Sequence, residues 1–229
     1  MTRLSERLQA VEMRIAAACQ RSGRPRSAVT LVAVTKAVNA ALAQQLVDLG
    51  MRDLGENRPQ ELWSKAATLT GRPRWHLIGH LQRNKVARTL PLVEMIHSVD
   101  SLRLLQALER EAARLNLVIR VLLECNCSGE ASKHGFAPAE IEGIARHLES
   151  CEHVHVCGLM TMAAYDVEAE RCRPTFAMLG ALRDALAPRL KLPHTMTELS
   201  MGMSNDFEVA IEEGATMIRL GTVLFEGLT

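Results

Sequence analysis

The sequence predicts an α/β chain folded as a single eight-stranded parallel (β/α)8 barrel, with an extra helix at its amino terminus. Three observations carry that prediction. Short apolar or β-branched runs begin near Thr30, Arg52, Arg74, Met95, Leu117, Val154, Thr197 and Thr216, with helical periodicity between them. The first five runs start about 22 residues apart, room for one helix and two short loops, and such crossovers imply parallel pairing. The eighth run is followed by only nine residues, too few for a full closing helix. An open dinucleotide-binding sheet is disfavoured, because Thr35-Lys36-Ala37-Val38 follows the first run where a G-x-G-x-x-G would stand.

The elements follow in order. Leu4, Leu8, Val11, Ile15 and Ala18 form an apolar stripe within residues 1–22, and this helix is expected to cover the gap left by the short tail. Ala41-Leu42 with Leu46-Val47 make a second stripe. Leu102, Leu105, Leu108, Ala112 and Leu115 make another, with Asp100-Ser101 in front as the N-cap. Ile141, Ile144, Ala145 and Leu148 follow Pro138, which suits a first-turn proline. Phe176, Leu179, Leu182 and Leu186 end before Pro188. With no linker or low-complexity stretch, residues 1–229 are expected to form one domain.

Composition narrows the function. The chain is 48% hydrophobic and 23% charged, with a net charge of +1 and no long basic stripe, so nucleic acid is disfavoured as the main partner. Met1 to Arg7 lacks a signal-peptide core and no apolar run reaches membrane-spanning length, so a cytoplasmic location and no membrane partner are expected. The six cysteines then read as reduced, buried thiols. Cys151, His153, His155 and Cys157 share one register, but their segment reads as a buried strand without C-x-x-C, and no metal site is expected.

Barrels of this kind place their chemistry at the carboxyl ends of the strands. Those ends read Lys36, Gly55-Glu56-Asn57, Gly79-His80, His97-Ser98-Val99-Asp100, Asn126, Met160-Thr161-Met162, Ser200-Met201-Gly202-Met203-Ser204 and Arg219-Leu220-Gly221-Thr222. Lys36 ends an apolar run in a chain with five lysines against 22 arginines, the other four lysines lying in polar helices or loops. Desolvation there would lower its pKa and free its amine for Schiff-base chemistry; the plainer alternative is a lysine snorkelling to solvent. Glu56, Asn57, His80 and Asp100 read equally well as helix caps, His76 as a satisfied core histidine, and the methionines as packing. Arg219 demands a partner, either an internal acid or a ligand. Gly221-Thr222 and Ser200-Met201-Gly202 offer small residues and hydroxyls where barrels often bind phosphate. A lysine, an arginine and a phosphate cradle on one rim suit a phosphorylated aldehyde: pyridoxal 5′-phosphate, or else a sugar phosphate.

Several blocks resemble the pyridoxal phosphate homeostasis protein family. They are Val34-Thr35-Lys36, Gly55 to Arg58, Trp75 to Lys85, His97 to Asp100, Ser128 to Phe136, Gly158 to Met162, Leu199 to Ser204 and Ile218 to Thr222. The resemblance implies the barrel of the alanine racemase amino-terminal domain without its second domain. It implies covalent attachment of pyridoxal phosphate to Lys36, Asn57 and His80 beside the cofactor, and Arg219 facing the pyridine nitrogen. Ser200, Gly221 and Thr222 would hold the phosphate, with Met201 nearby. The tail departs from the family pattern: Phe225 is followed by Glu226-Gly227-Leu228-Thr229, with no basic residue.

An arginine at the ring nitrogen would leave the cofactor a weak electron sink. The expectation is therefore a monomeric carrier of pyridoxal phosphate, not an enzyme, with apo forms of enzymes that use the cofactor as recipients. Two alternatives remain at this stage. One is an amino-acid racemase using His80 or Tyr165, the chain's one tyrosine, as second base. The other is a cofactor-free Schiff-base aldolase acting on sugar phosphates.

Overall fold

Eight strands close on themselves in chain order, each parallel to both neighbours. They are β1 (Thr30–Val34), β2 (Asp53–Glu56), β3 (Arg74–Leu77), β4 (Val93–Val99), β5 (Ile119–Glu124), β6 (Val154–Met160), β7 (Glu198–Ser200) and β8 (Met217–Leu220). β8 returns to β1 with Thr30 opposite Met217 and Ala33 opposite Leu220, which seals the barrel. The computed structural model describes residues 2–130, 134–164 and 167–228, so Lys133 and Tyr165 lie outside the described residues.

The helices are α1 (Arg3–Arg21), α2 (Ala40–Asp48), α3 (Pro59–Thr68), α4 (Val86–Thr89), α5 (Leu102–Leu115), α6 (Pro138–Gly143), α7 (Ala145–Leu148), α8 (Arg173–Leu186), α9 (Phe207–Glu212) and α10 (Thr222–Phe225). Each sequence-predicted stripe lies on one of them. One stripe is divided: where residues 141–148 promise one helix there are two short ones, parted at Ile144 directly after Gly143, a residue that weakens helix interiors. Helix α5 starts as its stripe requires, though Ser101 alone is the cap: its hydroxyl accepts from the Leu104 amide at 3.3 Å.

Helix α1 does the covering work expected of it. Its buried face of Leu4, Val11, Ile15, Ala18 and Cys19 packs against α9 and α10, where the four-residue α10 is too short to close the ring. Arg14 meets Glu208 through two 2.9 Å hydrogen bonds, and Arg21 meets Glu212 at 2.7 Å.

Strand alternation divides the buried residues into two layers. The outward faces carry the aliphatic core, with Leu31, Leu54, Leu77, Ile96, Val121, Leu159 and Ile218 under the helices. The barrel lumen holds a smaller apolar group, Met95, Leu122, Cys157, Met160 and Met217. The rest of the lumen is polar, and that polarity leads to the site.

Candidate functional site

A hydrogen-bonded chain runs through the lumen from the strand starts toward the strand ends. Arg74 donates to Asp53 Oδ2 at 2.5 Å, and Asp53 Oδ1 lies 2.9 Å from His76 Nε2. His76 Nδ1 is 2.9 Å from His97 Nε2, and His97 Nδ1 is 2.8 Å from Ser200 Oγ. Arg219 Nη1 then donates to Ser200 Oγ at 2.6 Å, and Nη2 to the Thr161 carbonyl at 2.9 Å. Burial, reinforced by the charges of His76, Arg219 and Arg120, holds the His97 pKa well below its ordinary value, so His97 is neutral. Asp53 only accepts, so His76 Nε2–H donates to it. The Ser200 oxygen takes the proton of Arg219. Burial lowers the Arg219 pKa to about 10, with Asp206 and Glu124 opposing, so it stays cationic at neutral pH while only 4% exposed. Its two described bonds leave donor capacity for a ligand.

Lys36 lies just past β1 and is exposed. The expectation of a desolvated strand-end lysine is therefore corrected: the lysine that is buried is Lys65, 4% exposed. Its ammonium donates to Glu56 Oε1 and to the Thr35 carbonyl, both at 2.6 Å, and the Thr35 hydroxyl also reaches Glu56 Oε1 at 2.6 Å. Glu56 is thus no helix cap. It anchors, from behind the barrel wall, the residue that precedes Lys36, while its Oε2 is buried without a partner. Asn57 is exposed at the end of β2. Its backbone and side chain fill the space beside Gly79, where a Cβ would come within 2.2 Å of the Asn57 carbonyl; only glycine permits this approach.

Two predicted cofactor contacts need correction. Ser200 is fully buried with its hydroxyl committed to His97 and Arg219, so it is an internal relay rather than a phosphate donor. Met201 alternates outward from Ser200 and sits fully buried in the outer core, away from the lumen. The hydroxyl that accompanies Gly221 and Thr222 belongs to Ser204, whose Oγ accepts from the Val223 amide at 3.3 Å. Gly221 also stands against β1, since a Cβ there would meet the Val34 carbonyl at 3.2 Å. The predicted phosphate end and Lys36 therefore share one corner of the mouth, and Glu226 is exposed beyond α10.

Across the mouth, the ends of β3, β4 and β5 gather a second group. His80 Nδ1 lies 2.7 Å from Asp100 Oδ2, and the His80 ring stacks on His134 with centroids 5.2 Å apart. Glu124 closes β5 and is 5% exposed, with no hydrogen-bond partner for its carboxylate among the described residues. Burial and the nearby Asp100 raise its pKa to about 7, with Arg219 and His80 opposing. A cavity of about 630 Å³ opens beside this group, lined by His80, Arg83, Asp100 and Arg103. The residues 151–157 predicted to share a register instead go separate ways. His153 pairs with Glu109 at 3.0 Å, while Cys151 and Cys157 bond to different backbone carbonyls.

Sequence reading passed over Asp53 and Glu124, and took in His97 and Ser204 only as members of strand-end runs, with no role of their own. The signal that exposed Arg219, a charge inside an apolar strand, also marks Asp53 and Glu124. The role of His97 needed the lumen-facing register, which only strand pairing supplies, and that of Ser204 its loop contact with the start of α10.

The alanine racemase N-terminal domain family matches residues 7–228. The pyridoxal phosphate homeostasis protein of Aquifex aeolicus is 41% identical over 223 residues, covering 96% of each chain. The Homo sapiens protein of the same name is 36% identical over 231 residues, covering 95% of this chain and 84% of its own. The structure of PipY from Synechococcus elongatus PCC7942 with PLP bound aligns with a TM-score of 0.80 and 36% identity, over 97% of this chain and 99% of that one. The chain belongs to the alanine racemase N-terminal domain family and, within it, to the pyridoxal phosphate homeostasis proteins. Alanine racemase from Clostridium difficile 630, at 16% identity and a TM-score of 0.72, shares the fold.

Proposed function

We infer that this chain binds pyridoxal 5′-phosphate at the barrel mouth and holds it for cofactor homeostasis without turnover. Lys36 takes the aldehyde as a Schiff base. Gly221, Thr222 and Ser204 receive the phosphate, Asn57 lies beside the ring, and Arg219 meets the pyridine nitrogen. The observation that carries this reading is the buried Arg219 guanidinium, whose proton-donating side is fixed by Ser200 and His97. Bound pyridoxal phosphate supplies an electron-withdrawing pyridine whose power depends on protonation at its nitrogen. A guanidinium that keeps its protons leaves that nitrogen an acceptor and the ring a weak sink. The exposure of Lys36 suits reversible loading and release. In this reading a monomer inside the cell passes the cofactor to apo enzymes. No described helix is long and apolar enough to cross a membrane.

Borohydride reduction and peptide mapping test the reading. A pyridoxyl group on Lys36 is expected; one on Lys65, Lys85, Lys133 or Lys191 and never on Lys36 overturns the attachment, and a colourless protein favours the cofactor-free aldolase. The His80–Asp100 pair favours one second reading, a racemase in which His80 is the second base. Deuterium exchange at Cα of added amino acids separates the two. Exchange above that of free cofactor, lost in His80→Ala, would establish the racemase.

A further inference from the structure

The cofactor reading asks only that His80 lie beside the cofactor and gives no role to Asp100, His134 or Glu124, whose chemistry together with His80 is that of a metal site. Three successive loops each contribute one ligand type: His80 after β3, Asp100 after β4 and His134 after β5. Among the described residues these are the ones whose ligand atoms converge, all lying within 4.8 Å of one another. Four-coordinate bonds of about 2.0–2.1 Å place ligand atoms roughly 3.3 Å apart. The gap is closed by side-chain rotation, which the exposed rings of His80 and His134 allow.

A second observation points to the same ion. Glu124 brings a buried carboxylate with no described partner, and the charges acting on it are Asp100, Arg219 and His80. The backbone that carries His134 is pressed onto this side chain. Gly135 has φ +110, and a Cβ there would stand 3.1 Å from the Glu124 Cγ. The Phe136 amide bonds the Glu124 carbonyl at 2.8 Å, which ties the His134 loop to the end of β5. Two imidazoles and two carboxylates therefore meet at one edge of the mouth, away from the β7–β8 corner assigned to phosphate.

We propose that His80, Asp100 and His134 bind a divalent transition-metal ion, with Glu124 as the carboxylate behind it. Imidazole and carboxylate together suit Zn²⁺ and its borderline neighbours better than Ca²⁺ or Mg²⁺, which prefer all-oxygen shells. The Asp100–His80 contact already sets Oδ2 2.7 Å from Nδ1; the ion takes the place of the hydrogen between them, the imidazole keeping its proton on Nε2. Three protein ligands leave a coordination position for water or an incoming carboxylate. The proposal is independent of Lys36.

The test uses the full-length, cofactor-free, metal-stripped protein. Isothermal titration with ZnCl₂ is expected to show one equivalent bound, and Co²⁺ substitution a visible d–d spectrum without a thiolate-to-metal band. Outer partners alone typically contribute about 10–100-fold to metal affinity, so Glu124→Gln is expected to weaken binding by at least about tenfold. His80→Ala and His134→Ala each weaken it further still. His153→Ala, which removes a histidine bonded to Glu109 elsewhere, leaves it unchanged. Both His80 and His134 are exposed, so these variants retain the fold, which circular dichroism checks. No stoichiometric binding, binding that survives the His80→Ala/His134→Ala pair, or a cobalt–thiolate band from the cysteines would each overturn the proposal.

Discussion

Replacing Ser200 by alanine deletes one hydroxyl and breaks the lumen chain at its most connected point. That oxygen accepts from the Arg219 guanidinium at 2.6 Å and lies 2.8 Å from His97 Nδ1. The side chain is fully buried, so water does not take over either role in the native fold. A hydrogen bond to a charged group contributes about 1.5–3 kcal/mol, and a buried acceptor left unpaired costs about 1–3 kcal/mol. Together the loss is about 3–5 kcal/mol. In a chain of this size each kcal/mol lowers the melting temperature by about 2–4 °C, so a fall of about 10 °C is expected for the cofactor-free protein. The assay is thermal unfolding by circular dichroism beside a pyridoxal phosphate titration. Ser204→Ala provides the contrast, with melting unchanged and cofactor affinity down about tenfold, the worth of one hydrogen bond to a charged phosphate. A Ser200→Ala protein that melts within about 2 °C of the parent yet loses phosphate affinity would refute the relay and return Ser200 to the phosphate site.

Lys65→Met leaves the buried Glu56 without its cation, and urea unfolding is expected to show a loss of about 3–5 kcal/mol; adding Glu56→Leu recovers most of it, because a matched apolar pair replaces a broken ionic one. The acid limb of the stability profile tests Asp53. Burial alone would raise its pKa, but the hydrogen bonds from His76 and Arg74 outweigh that and hold the carboxyl below its usual range. A depressed carboxylate stabilises the fold above its unfolded pKa of about 3.9 and loses that contribution as the pH falls through the folded value. Asp53→Asn is therefore expected to flatten the stability profile below about pH 4 in equilibrium unfolding; an unchanged acid limb would remove Asp53 from the chain.

The barrel was legible because eight short runs recur in order and four of the crossovers between them carry an apolar stripe, so these local signals agree on one architecture. Arg219 was legible for the opposite reason, as a guanidinium in an apolar strand. What lay beyond one-dimensional reading is which face each residue takes. Ser200 and Met201 are adjacent in sequence, yet pleating sends one into the lumen and the other into the outer core. Lys65 and Glu56 are nine residues apart on different elements, and only the docking of α3 against β2 reveals that the helix lysine is the buried one. Local pattern marks elements; pairing decides sides.

Helix α1 has a temporal meaning as well as a spatial one. The residues that receive it, Glu208 and Glu212, lie 194 and 191 positions along the chain from Arg14 and Arg21. A ribosome therefore releases the apolar face of Leu4, Val11, Ile15 and Ala18 long before its cover exists. β1 waits equally long for β8. These early segments wait longest for their partners, and the nascent chain carries an unpaired strand edge and an uncovered helix until β8 and α9 follow. Closure is then a late event that brings α1 to α9 and β1 to β8 at once, which makes the seam between α1 and α9 the place where the barrel is completed.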